Sequence, residues 1–373
     1  MHAMTTPAGE RARTVLVVGA GMIGTSLAMA LVERGHRVLL EDIDAANLEA
    51  AADMSGATLY AGEAADVAVV AVPPGRTPGV VIDVLERGTA AAVVDCASIK
   101  VAPLSVVLRD APPISGGASA YVGGHPLAGR EHRGPRAARA DLFAGRPWVL
   151  TPHESSSAEA IDAVRWLVAE CRATAVVMTA LEHDRAVAMT SHLPQVLASA
   201  LAGQLEHEDD HVLALAGQGV RDMTRIAGSD PDLWADILAG NGDAVAVVLD
   251  RIVDLLHAVA DGLRDEATAA YVARSLMESG RAGRRRMPGK HGESPRVYRA
   301  VPVVVPDEPG QMARLLADAF GAGVNVEDIR VDHAPGLPMG LIELYVAPDA
   351  EETLTRSLAE RGWTVTSIGP DET

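Results

Sequence analysis

Gly19-Ala20-Gly21-Met22-Ile23-Gly24 closes an apolar, β-branched run and opens a stretch with helical spacing. There, Gly19 permits a tight turn, Gly21 lets backbone approach a diphosphate, and Gly24 lets helix and strand pack closely. The helix start would turn free N–H groups and its positive dipole end toward the phosphates. Asp42 lies 23 residues past Gly19, at the end of the next apolar run. A carboxylate at that place accepts from both ribose hydroxyls. No Arg or Lys stands in Asp42-Ile43-Asp44 to neutralise a 2′-phosphate, so the reading is NAD rather than NADP. Val72-Pro73-Pro74 ends a further run. The proline pair either only stops that strand or walls the nicotinamide side of the crevice.

A dinucleotide fold does not name a reaction, and four later segments carry more chemistry. Asp95-Cys96-Ala97-Ser98-Ile99-Lys100 and Gly124-His125-Pro126-Leu127-Ala128-Gly129-Arg130-Glu131 each end a strand-like run. Thr190-Ser191-His192-Leu193-Pro194-Gln195 and Arg221-Asp222-Met223-Thr224-Arg225 lie in helical stretches. Taken alone, His125 is either a turn histidine before a proline or a base that titrates near neutrality. The planar fork of Arg225 suits a carboxylate. Arg221, four residues earlier on one helical face, serves a second anion or pairs with Asp222. His192 either is a satisfied structural histidine or lies near the substrate. Cys96 and Cys171 stand far apart with no CxxC or Cys/His ligand spacing. Structural zinc and a disulfide scaffold are therefore not expected, and two buried thiols in a reducing cytosol are.

The elements that must position these residues follow from the patterning. Five apolar runs, TVLVVGAG, HRVLLED, DVAVVAVP, AAVVDCAS and YVGGHP, alternate with helical stretches between residues 14 and 152. That pattern predicts an α/β, Rossmann-type doubly wound parallel sheet covered on both faces. From 153 to 280 the spacing predicts an all-helical domain whose apolar faces pack on each other or on a second subunit. Residues 281–296, GRAGRRRMPGKHGESPR with its neighbour Gly280, read as a basic linker. Residues 297–373 show strand and helix signals in the order βαββαβ, a small ferredoxin-like sheet with two helices on one face. Residues 1–13 read as a tail with no apolar leader, and no apolar run reaches the length of a membrane span.

Composition narrows the class. In 373 residues, 32 basic side chains face 50 acidic ones, a formal charge of −18 that repels nucleic-acid phosphates and anionic lipid. Four Trp, five Tyr and two Phe are too few for a base-stacking platform. The expected protein is cytoplasmic, binds a small molecule, and uses neither nucleic acid nor membrane.

The motifs together resemble the prephenate dehydrogenase family. GAGMIG, DCASIK, GGHPLAGRE, His183-Asp184, TSHLPQ and RDMTRIAGSDPDLWADILAGN stand in the family's order over about residues 14–280. PDEPGQMARLLADAFGAGVNVEDI resembles the opening of an ACT domain, a common amino-acid sensor. The resemblance implies NAD-dependent oxidative decarboxylation of prephenate to 4-hydroxyphenylpyruvate, or of arogenate to tyrosine. It implies that His125 accepts from the C4 hydroxyl, with Ser98 bonding near both, and that Arg225 holds a substrate carboxylate. It sets Arg130 and Glu131 at the pocket mouth, although many relatives have a small polar residue in place of that arginine. It implies a homodimer. In the C-terminal domain it implies an effector such as tyrosine near Pro309-Gly310, which opens a helix, and Asn325, which starts the next strand. An unperturbed His125 would lose activity around pH ~6.5.

Two rivals remain from the residues. A 3-hydroxyacid dehydrogenase of related architecture uses a helix lysine of its second domain, and no lysine occurs between residues 101 and 289. A catalytically silent sensor of NAD and an amino acid would not need His125, Ser98 and Arg225 together.

Overall fold

The computed structural model describes residues 12–113, 116–129, 134–287, 298–333 and 339–366. It divides into two compact units. One takes in the described residues up to Glu208 together with Met223–Val253, and the other takes in Asp209–Asp222 and the described residues from Asp254.

The first unit begins with β1 (Thr14–Val18), α1 (Met22–Glu33), β2 (Arg37–Glu41), α2 (Ala45–Ser55), β3 (Thr58–Leu59) and β4 (Ala65–Val70). It continues with α3 (Thr77–Arg87), β5 (Ala90–Asp95), α4 (Val101–Asp110), β6 (Tyr121–Pro126), β7 (Pro147–Thr151), α5 (Ala158–Glu170) and β8 (Thr174–Val177). These strands form one eight-stranded sheet in the order β3-β2-β1-β4-β5-β6-β7-β8. Alternation along β1 explains the two covered faces. Val15 and Val17 pack with Leu27 and Leu31 of α1 and Val164 and Leu167 of α5. Leu16 and Val18 pack on the other side with Val81 and Val84 of α3 and Val107 of α4. Every β1 residue after Thr14 is buried, so the strand reads as a continuous apolar run.

Two expectations change here. The sheet is not wholly parallel, because β7 runs antiparallel to β6 and β8 follows β7 in parallel. Among its described residues the short span from the end of β6 to β7 contains only a brief 3-10 turn, Pro135–Ala137, and not the crossover helix that a parallel strand needs. The helical region also starts later than 153. Ala160, Val164, Leu167 and Val168 of α5 belong to the sheet's own core, and β8 is the sheet's last strand.

The helices that follow are α6 (Ala180–Val187), a π-helical turn at Ala188–His192, α7 (Leu193–Leu205), α8 (Asp210–Leu213), α9 (Gln218–Thr224), α10 (Pro231–Gly240), α11 (Gly242–Arg264) and α12 (Ala269–Arg285). A capping box starts α6, with Thr179 and Glu182 bonding each other's backbone N–H. Helix α12 runs through Arg281 and Arg284 to Arg285, so the stretch read as linker from 281 is helical at its start. Arginine is a good helix former, and cations suit a helix C-terminus. Residues 288–297 lie outside the described residues. No described helix is long and apolar enough to cross a membrane.

The second unit ends in β9 (Arg299–Pro306), α13 (Gln311–Gly321), β10 (Asp328–His333), β11 (Met339–Val346), α14 (Glu351–Glu360) and β12 (Thr364–Val365). The order is the expected βαββαβ, in an antiparallel sheet β10-β11-β9-β12. Alternate residues Val301, Val303 and Val305 of β9 and Ile342, Leu344 and Val346 of β11 meet Leu315 and Ala319 of α13 and Leu354 and Leu358 of α14. Both helices thus cover one face.

Candidate active site

The β1–α1 turn has the shape its glycines require. Gly19 sits at φ +108°, and a Cβ there would run into the Ala71 carbonyl oxygen. Gly24 packs on the Gly19 carbonyl with no room for a side chain. A Cβ on Gly21 would meet no atom within 4 Å, which is the clearance a diphosphate needs. No side chain caps α1 at Gly21, so the N–H groups of Met22 and Ile23 are not taken by a cap. Asp42 follows β2 and bends back onto the turn. Its Oδ2 accepts from the Ala20 N–H at 2.5 Å and its Oδ1 from the Asp44 N–H at 2.7 Å. Each oxygen keeps a lone pair for a ribose hydroxyl. Val72 lies against Gly19. Pro73 gives its carbonyl to the N–H groups of Arg76 and Thr77, making the turn into α3. The proline pair therefore stops β4 and leads into α3, while Val72 borders the glycine turn. These residues fit a dinucleotide.

His125 sits half-buried on β6, next to the end of β5. Two glycines precede it because neighbours crowd both: a Cβ on Gly124 would run into the Asp95 carbonyl oxygen and Val94, and Gly123 lies under Lys100. The Lys100 side chain crosses Gly123, where a Cβ would press on the Lys100 Cδ and the Thr151 hydroxyl. Its Nζ donates to the Gly124 carbonyl at 2.5 Å and to the Asp95 carboxylate. Asp95 also accepts from the Tyr121 hydroxyl at 2.7 Å. Lys100 and Asp95 are wholly buried. This pair locks the backbone one residue before His125.

The His125 imidazole is bonded from the helical side. Its Nδ1 lies 2.8 Å from Nε2 of His183, whose Nδ1 lies 2.7 Å from Oδ1 of Asp184. Asp184 in turn accepts from the backbone N–H of Lys100 and of Val101, each at 2.8 Å, at the start of α4. Ser98, in the β5–α4 loop, makes no hydrogen bond to His125; the residue that bonds the imidazole is His183. Sequence reading took His183-Asp184 only as a matching motif and gave Lys100 no role.

His192 ends the π-helical turn. Pro194 has no N–H to give, and the wider turn before α7 accommodates it while bringing His192 inward. His192 is buried, and its Nδ1 accepts from the Asn241 amide at 3.1 Å; the same amide donates to the Asp184 carbonyl at 2.8 Å. With Nδ1 an acceptor, Nε2 carries the hydrogen. Burial pushes the His192 pKa down to about 4, so it is a neutral donor. The Gln195 amide donates to the Ile226 carbonyl at 3.0 Å. It ties α7 to the 3-10 turn Arg225–Gly228, which the exposed Arg225 opens. Helix α9 stops at Thr224, so Arg221 and Arg225 do not share one helical face. Arg221 is exposed on α9, in the other unit. Arg130 and Glu131 lie outside the described residues.

Burial holds the His125 pKa well below the ordinary 6.5, and the nearby Lys100 ammonium lowers it further. A base must be unprotonated to accept a proton. A depressed pKa keeps His125 in that form as acid is added. The acid limb of kcat is therefore expected below pH 6.5, with a level profile from about pH 8 to 6.5. A kcat–pH profile whose limb falls at or above 6.5 would contradict this environment. The two thiols take no part: burial raises both, Cys171 to about 12.

In the second unit, Gly310 stands at φ +89° before α13 with no side-chain cap. Asn325 does not start a strand. β10 begins at Asp328, and the Asn325 amide donates to Glu327 at 2.7 Å in the loop before it.

Residues 27–177 match the family described as prephenate dehydrogenase, nucleotide-binding domain, and residues 179–277 match prephenate dehydrogenase, dimerization domain. The chain is 35% identical over 367 residues to NovF of Streptomyces niveus, described as a probable prephenate dehydrogenase, covering 95% of this chain and 100% of that one. A crystal structure of Aquifex aeolicus prephenate dehydrogenase with hydroxyphenyl propionate and NAD+ superposes with a TM-score of 0.63 at 23% identity, over 73% of this chain and 99% of that one. It shows the shared fold. Synechocystis arogenate dehydrogenase gives 0.61 at 26% identity, over 74% and 100%.

Proposed function

The chain belongs to the prephenate dehydrogenase family, and we propose that it carries out the NAD-dependent oxidative decarboxylation of prephenate to 4-hydroxyphenylpyruvate through His125. The observation that carries this reading is the imidazole at the end of β6, held from one side only, in the unit that presents the glycine turn and Asp42.

Prephenate is a cyclohexadiene with a C4 hydroxyl and two carboxylates. NAD+, when bound by Gly19–Gly24, Asp42 and Val72-Pro73, supplies the acceptor for the C4 hydride. His125 accepts the hydroxyl proton as that hydride departs, which builds the carbonyl character at C4. The ring carboxylate leaves as CO2, the ring becomes aromatic, and His125 returns the proton to the ring oxygen, giving the phenol. Much of the driving force is in the substrate, so the chain's task is to orient and to hold one proton. His192, as a neutral Nε2–H donor, and Arg225 would meet the substrate's carboxylates. Ser98, in the β5–α4 loop, is assigned to the substrate hydroxyl. Replacing Arg225 with Ala is expected to raise KM for prephenate about 10- to 150-fold, the loss of one charge-assisted pair. An unchanged KM in steady-state kinetics would make Arg225 structural.

NADH formation with prephenate and with arogenate tests the reading. Prephenate is expected to be turned over faster. Faster turnover of arogenate would favour the second reading, which the likeness to the Synechocystis enzyme supports. No turnover of either would leave a silent sensor.

A homodimer is supported by Leu255, Leu256, Leu263, Tyr271 and Met277, exposed on α11 and α12, and by the dimerization-domain match. Two unpaired cysteines fit a cytoplasmic location. The C-terminal sheet is read as an ACT-like sensor, with tyrosine near Pro309, Gly310 and Asn325. Adding tyrosine to the same assay tests it, and an unaltered rate argues against that effector.

A further inference from the structure

We infer that His183 and Asp184 set the tautomer of His125, presenting a bare Nε2 to the substrate hydroxyl; the chemical meaning of that tautomer rests on the role given to His125 above.

The hydrogens along this chain of contacts are fixed one after another. Both oxygens of Asp184 accept backbone N–H groups at the start of α4. A carboxylate brings no hydrogen of its own, so His183 Nδ1 must donate to it across 2.7 Å. A neutral imidazole has one N–H, which leaves His183 Nε2 as an acceptor. That atom lies 2.8 Å from His125 Nδ1, so His125 must donate there. The single hydrogen of neutral His125 is then on Nδ1. Its Nε2 is bare and makes no hydrogen bond to any described residue.

This arrangement runs against the ordinary preference, because a histidine side chain in water favours the hydrogen on Nε2. Unassisted, His125 would turn an N–H toward the substrate hydroxyl and could not accept from it. His183 is thus a positioning residue. It also remains bonded to His125 Nδ1–H while Nε2 takes up the proton, with the Asp184 carboxylate behind it to offset the charge. The geometry is rigid at its far end. Asp184 is anchored by two backbone bonds, and Asn241 donates to its carbonyl at 2.8 Å.

Nitrogen-15 NMR of histidine-labelled protein reads the tautomer directly, with His125→Asn identifying the His125 signals. The native protein is expected to show a hydrogen on Nδ1 of His125 and none on Nε2. His183→Leu removes the acceptor. It is expected to move the hydrogen to Nε2 and to lower kcat about tenfold or more, with KM for prephenate within about twofold. His183→Gln places an amide oxygen near the lost Nε2 and is expected to keep more of kcat than the leucine variant. A native His125 carrying its hydrogen on Nε2 would overturn the inference, as would a His183→Leu enzyme with native kcat. If His183→Leu does not fold, the spectra of the native and His183→Gln proteins still decide it. A fully active His125→Asn enzyme would instead remove the role of His125 and leave the spectral result standing.

Discussion

His125→Asn is expected to lower kcat for prephenate by about 10²- to 10⁴-fold, the span a positioned base supplies. KM for NAD+ is expected to stay within about twofold. Asparagine keeps a polar group on β6 and can hydrogen-bond the hydroxyl, but it cannot take its proton as the hydride leaves. The cofactor contacts come from the β1–α1 turn and Asp42, which the substitution does not touch. Steady-state NADH formation with each substrate varied in turn checks both halves. Native kcat in this variant would remove the imidazole from the chemistry. A rise in KM for NAD+ alone would make His125 a cofactor residue.

Lys100→Met is expected to be the largest change in stability. The ammonium is fully buried and pairs with an equally buried Asp95. Methionine fills similar volume but leaves the carboxylate with only the Tyr121 hydroxyl and the Ala97 and Gly124 N–H groups. Leaving one buried charge unpaired typically costs about 3–5 kcal/mol, which lowers Tm by on the order of 10 °C in a unit of this size. Adding Asp95→Asn to the same chain removes the stranded charge and is expected to return part of that loss. Thermal unfolding followed by circular dichroism measures both. A single variant melting within about one degree of the native protein would mean that the pair contributes no net stability.

The cofactor turn was legible because its chemistry is local. Gly19, Gly21, Gly24 and Asp42 act within one strand–turn–helix–strand unit, and the demands on each residue are met by near neighbours. His125 was legible as a candidate for a similar reason, since it closes a strand on the side where α/β sheets bind ligands. Its partner was not. His183 is 58 residues away, and nothing in its own segment distinguishes a relay from a helix-start histidine. Lys100 was opaque for the same reason. Its ammonium reaches across a neighbouring strand, and only Gly123 hints at the room it needs.

Boundaries failed where two patterns overlap. α5 carries helical spacing like the helices after it, so sequence placed it with them, whereas its apolar face belongs to the sheet. β8 is four residues long, too short for alternation to stand out. The basic run after Gly280 looked like linker because glycines and arginines are common in linkers, yet α12 continues through Gly283 to Arg285. The C-terminal βαββαβ order was read correctly because its strands alternate clearly. Asn325 stands at the head of the strand-like run NVEDIRVDH, although the chain pairs only from Asp328 onward.

The central claim is that His125 Nε2 takes the C4 hydroxyl proton beside the bound dinucleotide. A crystal structure of the enzyme with NAD+ and 4-hydroxyphenylpyruvate tests it most directly. The account predicts His125 Nε2 within about 2.6–3.2 Å of the product's ring oxygen, with Nδ1 still on His183. An imidazole turned from that oxygen, with another side chain in its place, would contradict it.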